Sequence, residues 1–332
     1  MPSLGHCMQV TWACKVGEDR GLGRTAICNN QRNMVYTLHS TNEWEPSVPC
    51  WSRVPGVLQE IESVCTGNLQ QYKELAPETK MKTYMESSFQ ADMLAKFIYD
   101  SNEFEGAGLD NVETTHIVLS LVNARTAALE EKANGLGNKS MQHLEVVNHY
   151  MAINQAFTSV QHPLTEQKLL QLHKTLMNGV DDTAGQLRTQ EVHAGDGHSY
   201  PSAHLVPETL TTILNQFNNL YNRTDVTMYA KAAFLKFKFV QLHPFMDGNG
   251  RLSRILMNWV LRLQGLPFVV SITNNGHKKA KNHYMQALKN ADKNRAKGHV
   301  AFLIQYCTRK NWKLFHSEVG KSAIEDKETR SL

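Results

Sequence analysis

His243-Pro244-Phe245-Met246-Asp247-Gly248-Asn249-Gly250-Arg251-Leu252-Ser253-Arg254 puts a base, a carboxylate, an amide and two guanidiniums into one short glycine-punctuated run. Upstream, Tyr229 to Leu242 is apolar almost all round (Ala232, Ala233, Phe234, Leu235, Phe237, Phe239, Val240), the pattern of a buried helix. Pro244 ends it, because the residue before a proline is driven out of the helical region. Downstream, Leu252, Ile255, Leu256, Trp259, Val260 and Leu263 recur at three- and four-residue steps, and Gly265 followed by Pro267 closes that run. The stretch therefore reads as helix, loop, helix.

The start of a helix offers free backbone N–H groups, and Gly248 and Gly250 allow the main chain to fold around an anion. Arg251 and Arg254 place two cations where the helix dipole disfavours them by about 0.3–1 kcal/mol each. An anion in the loop offsets that cost, and guanidinium forks favour phosphate. Asp247 beside such a cradle suits a divalent cation bridging carboxylate and phosphate oxygens, Mg²⁺ or Mn²⁺. His243 is placed to take a proton from an incoming hydroxyl. These parts describe nucleotide-dependent transfer to an alcohol.

The run resembles the signature of the Fic family: histidine, proline, phenylalanine, any residue, an acidic residue, glycine, asparagine, glycine, arginine, two variable residues, arginine. Every fixed position is filled here. The resemblance implies an all-α fold, a bundle of roughly eight to ten helices by pattern count with a β-hairpin flap over the active site. It implies protein adenylyl transfer, in which AMP passes from ATP to a serine, threonine or tyrosine hydroxyl of a target protein or of the enzyme itself. His243 is then the base and Asp247 the metal ligand. Gly248, Asn249 and Gly250 line the anion site, and Arg251 and Arg254 bind the outer phosphates.

Ser101-Asn102-Glu103-Phe104-Glu105-Gly106 resembles the family's inhibitory motif. That likeness pairs Glu105, supported by Ser101, with Arg254 in competition with the terminal phosphate of the nucleotide. Taken alone, the same letters read as a helix stop at Glu-Gly. Glu130 after Thr126 is a rival, but Glu131 stands where a small residue is expected. From Gln186 to His204 the helical rhythm breaks around Asp196-Gly197, a tight-turn dipeptide. Gly185 opens this stretch, and Arg188 and Val192 match the arginine and valine of the family's target-aligning flap. His193, His198 and His204 fit no zinc spacing, and His173, on an apolar stripe, reads as a packing histidine. Lys278 to Ala291 resembles the segment that closes on the base, with Tyr284 as the contact and Asp292 where the family has an asparagine.

The rest of the chain bounds the function. At 332 residues and 41% hydrophobic it can bury a sizeable core. A formal charge of +4 is too small and scattered to call for nucleic acid. No apolar run reaches the roughly eighteen residues of a membrane span, and no secretory leader is visible. Cys7, Cys14, Cys28, Cys50, Cys65 and Cys307 match no zinc pattern, so they read as reduced thiols of a cytoplasmic protein, with the nucleus also open to it. Four segments follow: residues 1–56, loop-rich and without an assigned role; 57–96, a helical lead-in; 97–316, the Fic-like domain; and 317–332, a polar tail expected to be disordered. A homodimer is compatible with this reading. Rival functions are removal of AMP by hydrolysis, transfer of UMP, phosphocholine or phosphate at the same site, and an inactive ATP-sensing scaffold.

Overall fold

The computed structural model describes residues 25–29, 34–38, 57–74, 88–123, 140–193, 199–273, 280–292 and 298–329. Within them lie two strands, β1 (Thr25–Asn29) and β2 (Met34–Leu38), and ten α-helices. The helices are α1 (Val57–Glu74), α2 (Ser88–Glu105), α3 (Asn111–Val122), α4 (Met141–Thr158), α5 (Glu166–Met177), α6 (Val206–Tyr221), α7 (Met228–Leu242), α8 (Asn249–Leu263), α9 (Ala280–Asp292) and α10 (Gly298–Thr329). The chain forms two compact units, one of Ala91–Arg223 with Phe234–Gln264, the other of Met1–Gln90, Thr224–Ala233 and Gly265–Leu332.

The first unit holds the motif, and α8 runs through its middle. An apolar stripe requires burial of only one side of a helix, yet Arg251, Ser253, Arg254 and Asn258 on α8 are buried along with Leu252, Ile255, Leu256 and Trp259. The polar side is covered by partners instead of water. Helices α4 and α5 pack on α8 and on each other, and α3 packs on α4. Their starts follow from side-chain caps: Asp110, Ser140 and Thr165 each accept the N–H three residues on. Trp259 is fully buried, and its Nε1–H donates to the carbonyl of Val160 at 2.8 Å. Trp259→Phe removes that donor and leaves a carbonyl unpaired, so it is expected to cost about 1–3 kcal/mol. Urea unfolding of the two proteins measures this, and a loss below about 0.5 kcal/mol would mean that the carbonyl finds another donor.

In the second unit α10 packs on α1 and α9. Phe315 gathers Tyr72, Phe89, Phe268 and Trp312 around it at centroid separations of 5.4–6.0 Å. Two departures from the sequence reading lie here. Residues 1–56 were read as loop-rich, but β1 and β2 pair antiparallel, Thr25 with Leu38 and Asn29 with Met34. Five-residue strands rich in Ile, Val, Tyr and Thr are too short to show a clean period. The polar tail expected from residue 317 instead continues α10 to Thr329. It lacks an apolar stripe, but its Lys, Ala and Glu favour helix and no proline stops it. Among the described residues, no helix is long and apolar enough to cross a membrane.

Candidate active site

The loop between α7 and α8 is held by its own side chains. Asn249 accepts the Phe245 N–H through Oδ1 at 3.0 Å and donates from Nδ2 to the Phe245 carbonyl at 2.9 Å. Its amide is thereby committed to shaping the loop, a different part from the anion lining that the resemblance implied. Phe245 stacks on His173 with ring centroids 3.6 Å apart. His173 Nδ1 accepts the Gly185 N–H at 2.8 Å, so its proton lies on Nε2 and is donated to the Asp247 carbonyl at 3.0 Å. Burial pushes this imidazole down to about 4. His173 is thus the packing residue it was read as, and also the strut between the start of the flap segment and the loop.

Gly248, at φ 74°, opens α8 with no side chain capping it, which leaves the first-turn N–H groups available to an anion. A Cβ there would lie 2.7 Å from Met177 Sδ and 3.2 Å from His173 Nε2. Met177 can swing aside, but His173 is fixed by two hydrogen bonds and a stack. Gly248→Ala adds left-handed strain to that contact and is expected to cost about 1–3 kcal/mol, measured by the urea midpoint. An unchanged midpoint would show that the loop can reshape.

His243 takes φ 54°, rare outside glycine. Its Nδ1 faces the Val240 carbonyl at 3.4 Å, which places the ring proton there and leaves Nε2 as an unprotonated base. The ring stacks on Tyr200. Burial, followed by the charge of Arg188, holds its pKa down to about 4, against the raising effects of the Val240 carbonyl, Glu105 and Asp247. At neutral pH the imidazole is uncharged and able to accept a proton.

Arg251 and Arg254 are both buried. Arg251 bonds Asp247 Oδ2 at 2.9 Å and Glu145 Oε1 at 3.3 Å, and the other oxygen of Glu145 accepts the Gly108 N–H. Arg254 donates from Nε to Ser101 Oγ and from Nη2 to the Ser101 carbonyl, both at 2.8 Å, and from Nη2 to Glu105 Oε1 at 2.7 Å. Its Nη1 is buried without a partner. Glu105 ends α2 in a Schellman turn, with Gly106 N–H to the Glu103 carbonyl and Ala107 N–H to the Asn102 carbonyl. Its carboxylate lies against Gly250, where a Cβ would collide with it. The pairing of Glu105 and Ser101 with Arg254 is therefore present as geometry.

Arg188 donates from Nε to the His243 carbonyl at 2.7 Å, from Nη1 to the Gln190 carbonyl at 2.9 Å, and from Nη2 to the Pro201 carbonyl. Val192 is half-buried beyond it. Of the expected flap hairpin, the described residues carry one antiparallel bridge, His193 to Ser199; Asp196-Gly197 and His198 lie outside the described residues, as does the rival Glu130. Tyr284 is buried on α9 in the other unit. The contacts of Glu145 with Arg251 and of Tyr200 with His243, and the double role of His173, escaped the sequence reading, since each depends on a neighbour distant in sequence. No cluster of three or more His, Cys, Asp or Glu able to hold a metal occurs among the described residues. The Asp247 side chain is 64% exposed, with Oδ2 on Arg251 at 2.9 Å and Oδ1 accepting the Gly248 N–H at 2.6 Å, and a single carboxylate with its outer lone pairs toward solvent suits Mg²⁺ held mainly by substrate phosphates and water.

The Fic/DOC family profile matches residues 163–261. A Fido domain-containing protein of Dictyostelium discoideum is 35% identical over 132 residues, which are 39% of this chain and 88% of that one. The chain belongs to the Fic/DOC family. Another Fic relative, the protein adenylyltransferase Fic of Aedes aegypti, is 28% identical over 66% of this chain. The match spans only 41% of that enzyme's length. Among solved structures, a Fic domain containing signaling protein of Bacteroides thetaiotaomicron superposes with a TM-score of 0.62 over 79% of this chain and 98% of its own. At 22% identity that likeness shows a shared Fic fold.

Proposed function

We propose that this chain is a protein adenylyltransferase that moves AMP from ATP to a serine, threonine or tyrosine hydroxyl, on a target protein or on itself, and that Glu105 restrains it. The observation that carries the reading is His243: a neutral imidazole with Nε2 free to accept a proton, on the loop that leads directly into an uncapped helix start flanked by two buried arginines. His243 takes the proton of the acceptor hydroxyl, the oxygen attacks the α-phosphorus, and the bond to the bridging oxygen breaks to release pyrophosphate. The α8 N-terminus, Gly248, Gly250, Arg251 and Arg254 stabilise the phosphate charge, the main term in such transfers. Asp247 would hold Mg²⁺, which neutralises phosphate charge when bound. Arg188 and Val192 belong to a flap that aligns the acceptor segment by strand pairing.

The reading is tested by incorporation from ATP labelled at the α-phosphate, with labelled UTP alongside. Label from ATP that depends on His243 supports it. Label from UTP alone would move the donor, and release of AMP from a modified protein without any incorporation would reverse the direction.

A further inference from the structure

Tyr200 lies outside the core motif and has no part in the chemistry above, yet its ring lies on that of His243, with centroids 3.8 Å apart and planes 21° from parallel. The backbone of His243 is fixed, because its carbonyl accepts from Arg188 and its N–H bonds the Phe239 carbonyl. Its imidazole is held less firmly. The contact from Nδ1 to the Val240 carbonyl, at 3.4 Å, is at the long limit for a hydrogen bond and does not set the plane of the ring. A parallel aromatic face does, since tilting the imidazole breaks the stack along its whole area. The stack covers a face and leaves the Nε2 edge clear, and a proton is accepted at the edge.

We propose that Tyr200 is a positioning residue for the base: it fixes the plane of His243 and links the flap segment to the orientation of Nε2. The inference rests on the reading of His243 as the base. Tyr200 is carried by chain that the flap segment controls. Ser199 before it pairs with His193 and bonds that side chain at 3.2 Å, and the carbonyl of Pro201 after it accepts from Arg188. The chain that anchors the ends of the flap segment thereby also holds the plane of the base. The phenol ring also keeps water from one face of His243. Removing it weakens the desolvation that depresses the imidazole, while the other charges facing it, Arg188, Glu105 and Asp247, are unchanged. The pKa then climbs from about 4 toward 6.5. A larger fraction is protonated in mildly acid solution, and the acid limb of the rate profile moves to higher pH.

The test uses the full chain carrying Glu105→Gly, alone and with Tyr200→Phe, Tyr200→Ala or His243→Ala. Tyr200→Phe, which keeps the stack, is expected to stay within about twofold of its parent. Tyr200→Ala is expected to lower kcat about tenfold or more with little change in KM for ATP, and to raise the acid limb by about one pH unit. Histidine NMR titration, with the His243 signal assigned by its loss in His243→Ala, follows the same shift without turnover. Parent-like kcat and titration in Tyr200→Ala would overturn the proposal, as would Tyr200→Phe being as slow as Tyr200→Ala, since the hydroxyl would then be the working group. If His243→Ala transfers as much label as its parent, or none of the proteins transfers any, the reading of the base fails. The NMR titration still decides whether Tyr200 governs the His243 ring.

Discussion

Glu105→Gly is expected to raise incorporation of AMP from ATP about ten- to a hundredfold over the wild-type chain. The carboxylate occupies one edge of a guanidinium that is 1% exposed, and it lies against Gly250 in the cradle where a terminal phosphate would settle. A charge-assisted hydrogen bond of this kind is worth about 1.5–3 kcal/mol, and each 1.4 kcal/mol is a factor of ten. The Glu105 side chain is 32% exposed, which favours the lower part of that range. The variant should remain folded, because Ser101 still accepts two hydrogen bonds from Arg254. Glycine at the end of α2 loses helix propensity at one frayed position only. Adding His243→Ala should then remove label by a factor of about 10²–10⁴, the usual contribution of a positioned base. The measurement is label per protein at saturating ATP, with ATP affinity determined separately. If Glu105→Gly binds ATP yet labels no faster than wild type, Glu105 is not the brake.

The pairing of Glu105 with Arg254 shows what sequence can carry. Ser101, Glu105 and Gly106 could be read both as an inhibitory motif and as a helix stop, and the structure shows the helix stop together with the Glu105–Arg254 contact that the inhibitory reading requires. Gly106 ends the helix in a Schellman turn, and that ending sets Glu105 beside Arg254. Helices α7 and α8 were legible for a similar reason, since a 3.6-residue period and a proline are local signals. What stayed hidden needed partners far along the chain. Arg251 was expected at phosphate oxygens, but in this structure it is held between Asp247 and Glu145, and Glu145 reaches on to the backbone turn after α2. Asn249 was expected to line the anion site by the resemblance, yet both ends of its amide bond Phe245. His149, fully buried, bonds Asn102 of α2 at 2.8 Å, and burial together with Arg254 and Arg251 keeps it neutral. No period or spacing announces such a contact.

Arg188→Met should damage both stability and transfer, and for a different reason from loss of the base. The side chain is buried, and the partners found for it are backbone carbonyls, those of His243, Gln190, Pro201 and, at 3.4 Å, Leu242. Its own N–H also bonds the Pro244 carbonyl at 2.9 Å. One guanidinium therefore fastens the end of α7, the start of the core loop and both arms of the flap segment. A planar fork can reach carbonyls in several directions at once, and a lysine ammonium on a single stem cannot reproduce that spread, so Arg188→Lys should fall well short of wild type. With methionine the apolar stem still packs but the carbonyls lose their donors, at about 1–3 kcal/mol for each one that water cannot reach. The expected outcome is a stability loss of about 3 kcal/mol or more in urea unfolding, and a fall in label transfer of about a hundredfold even where the protein remains folded, because His243 and the flap no longer share a fixed point. If Arg188→Met kept wild-type stability and transfer, the loop would have to be held by Asn249 and His173 alone, and the flap segment would have no part in setting the base.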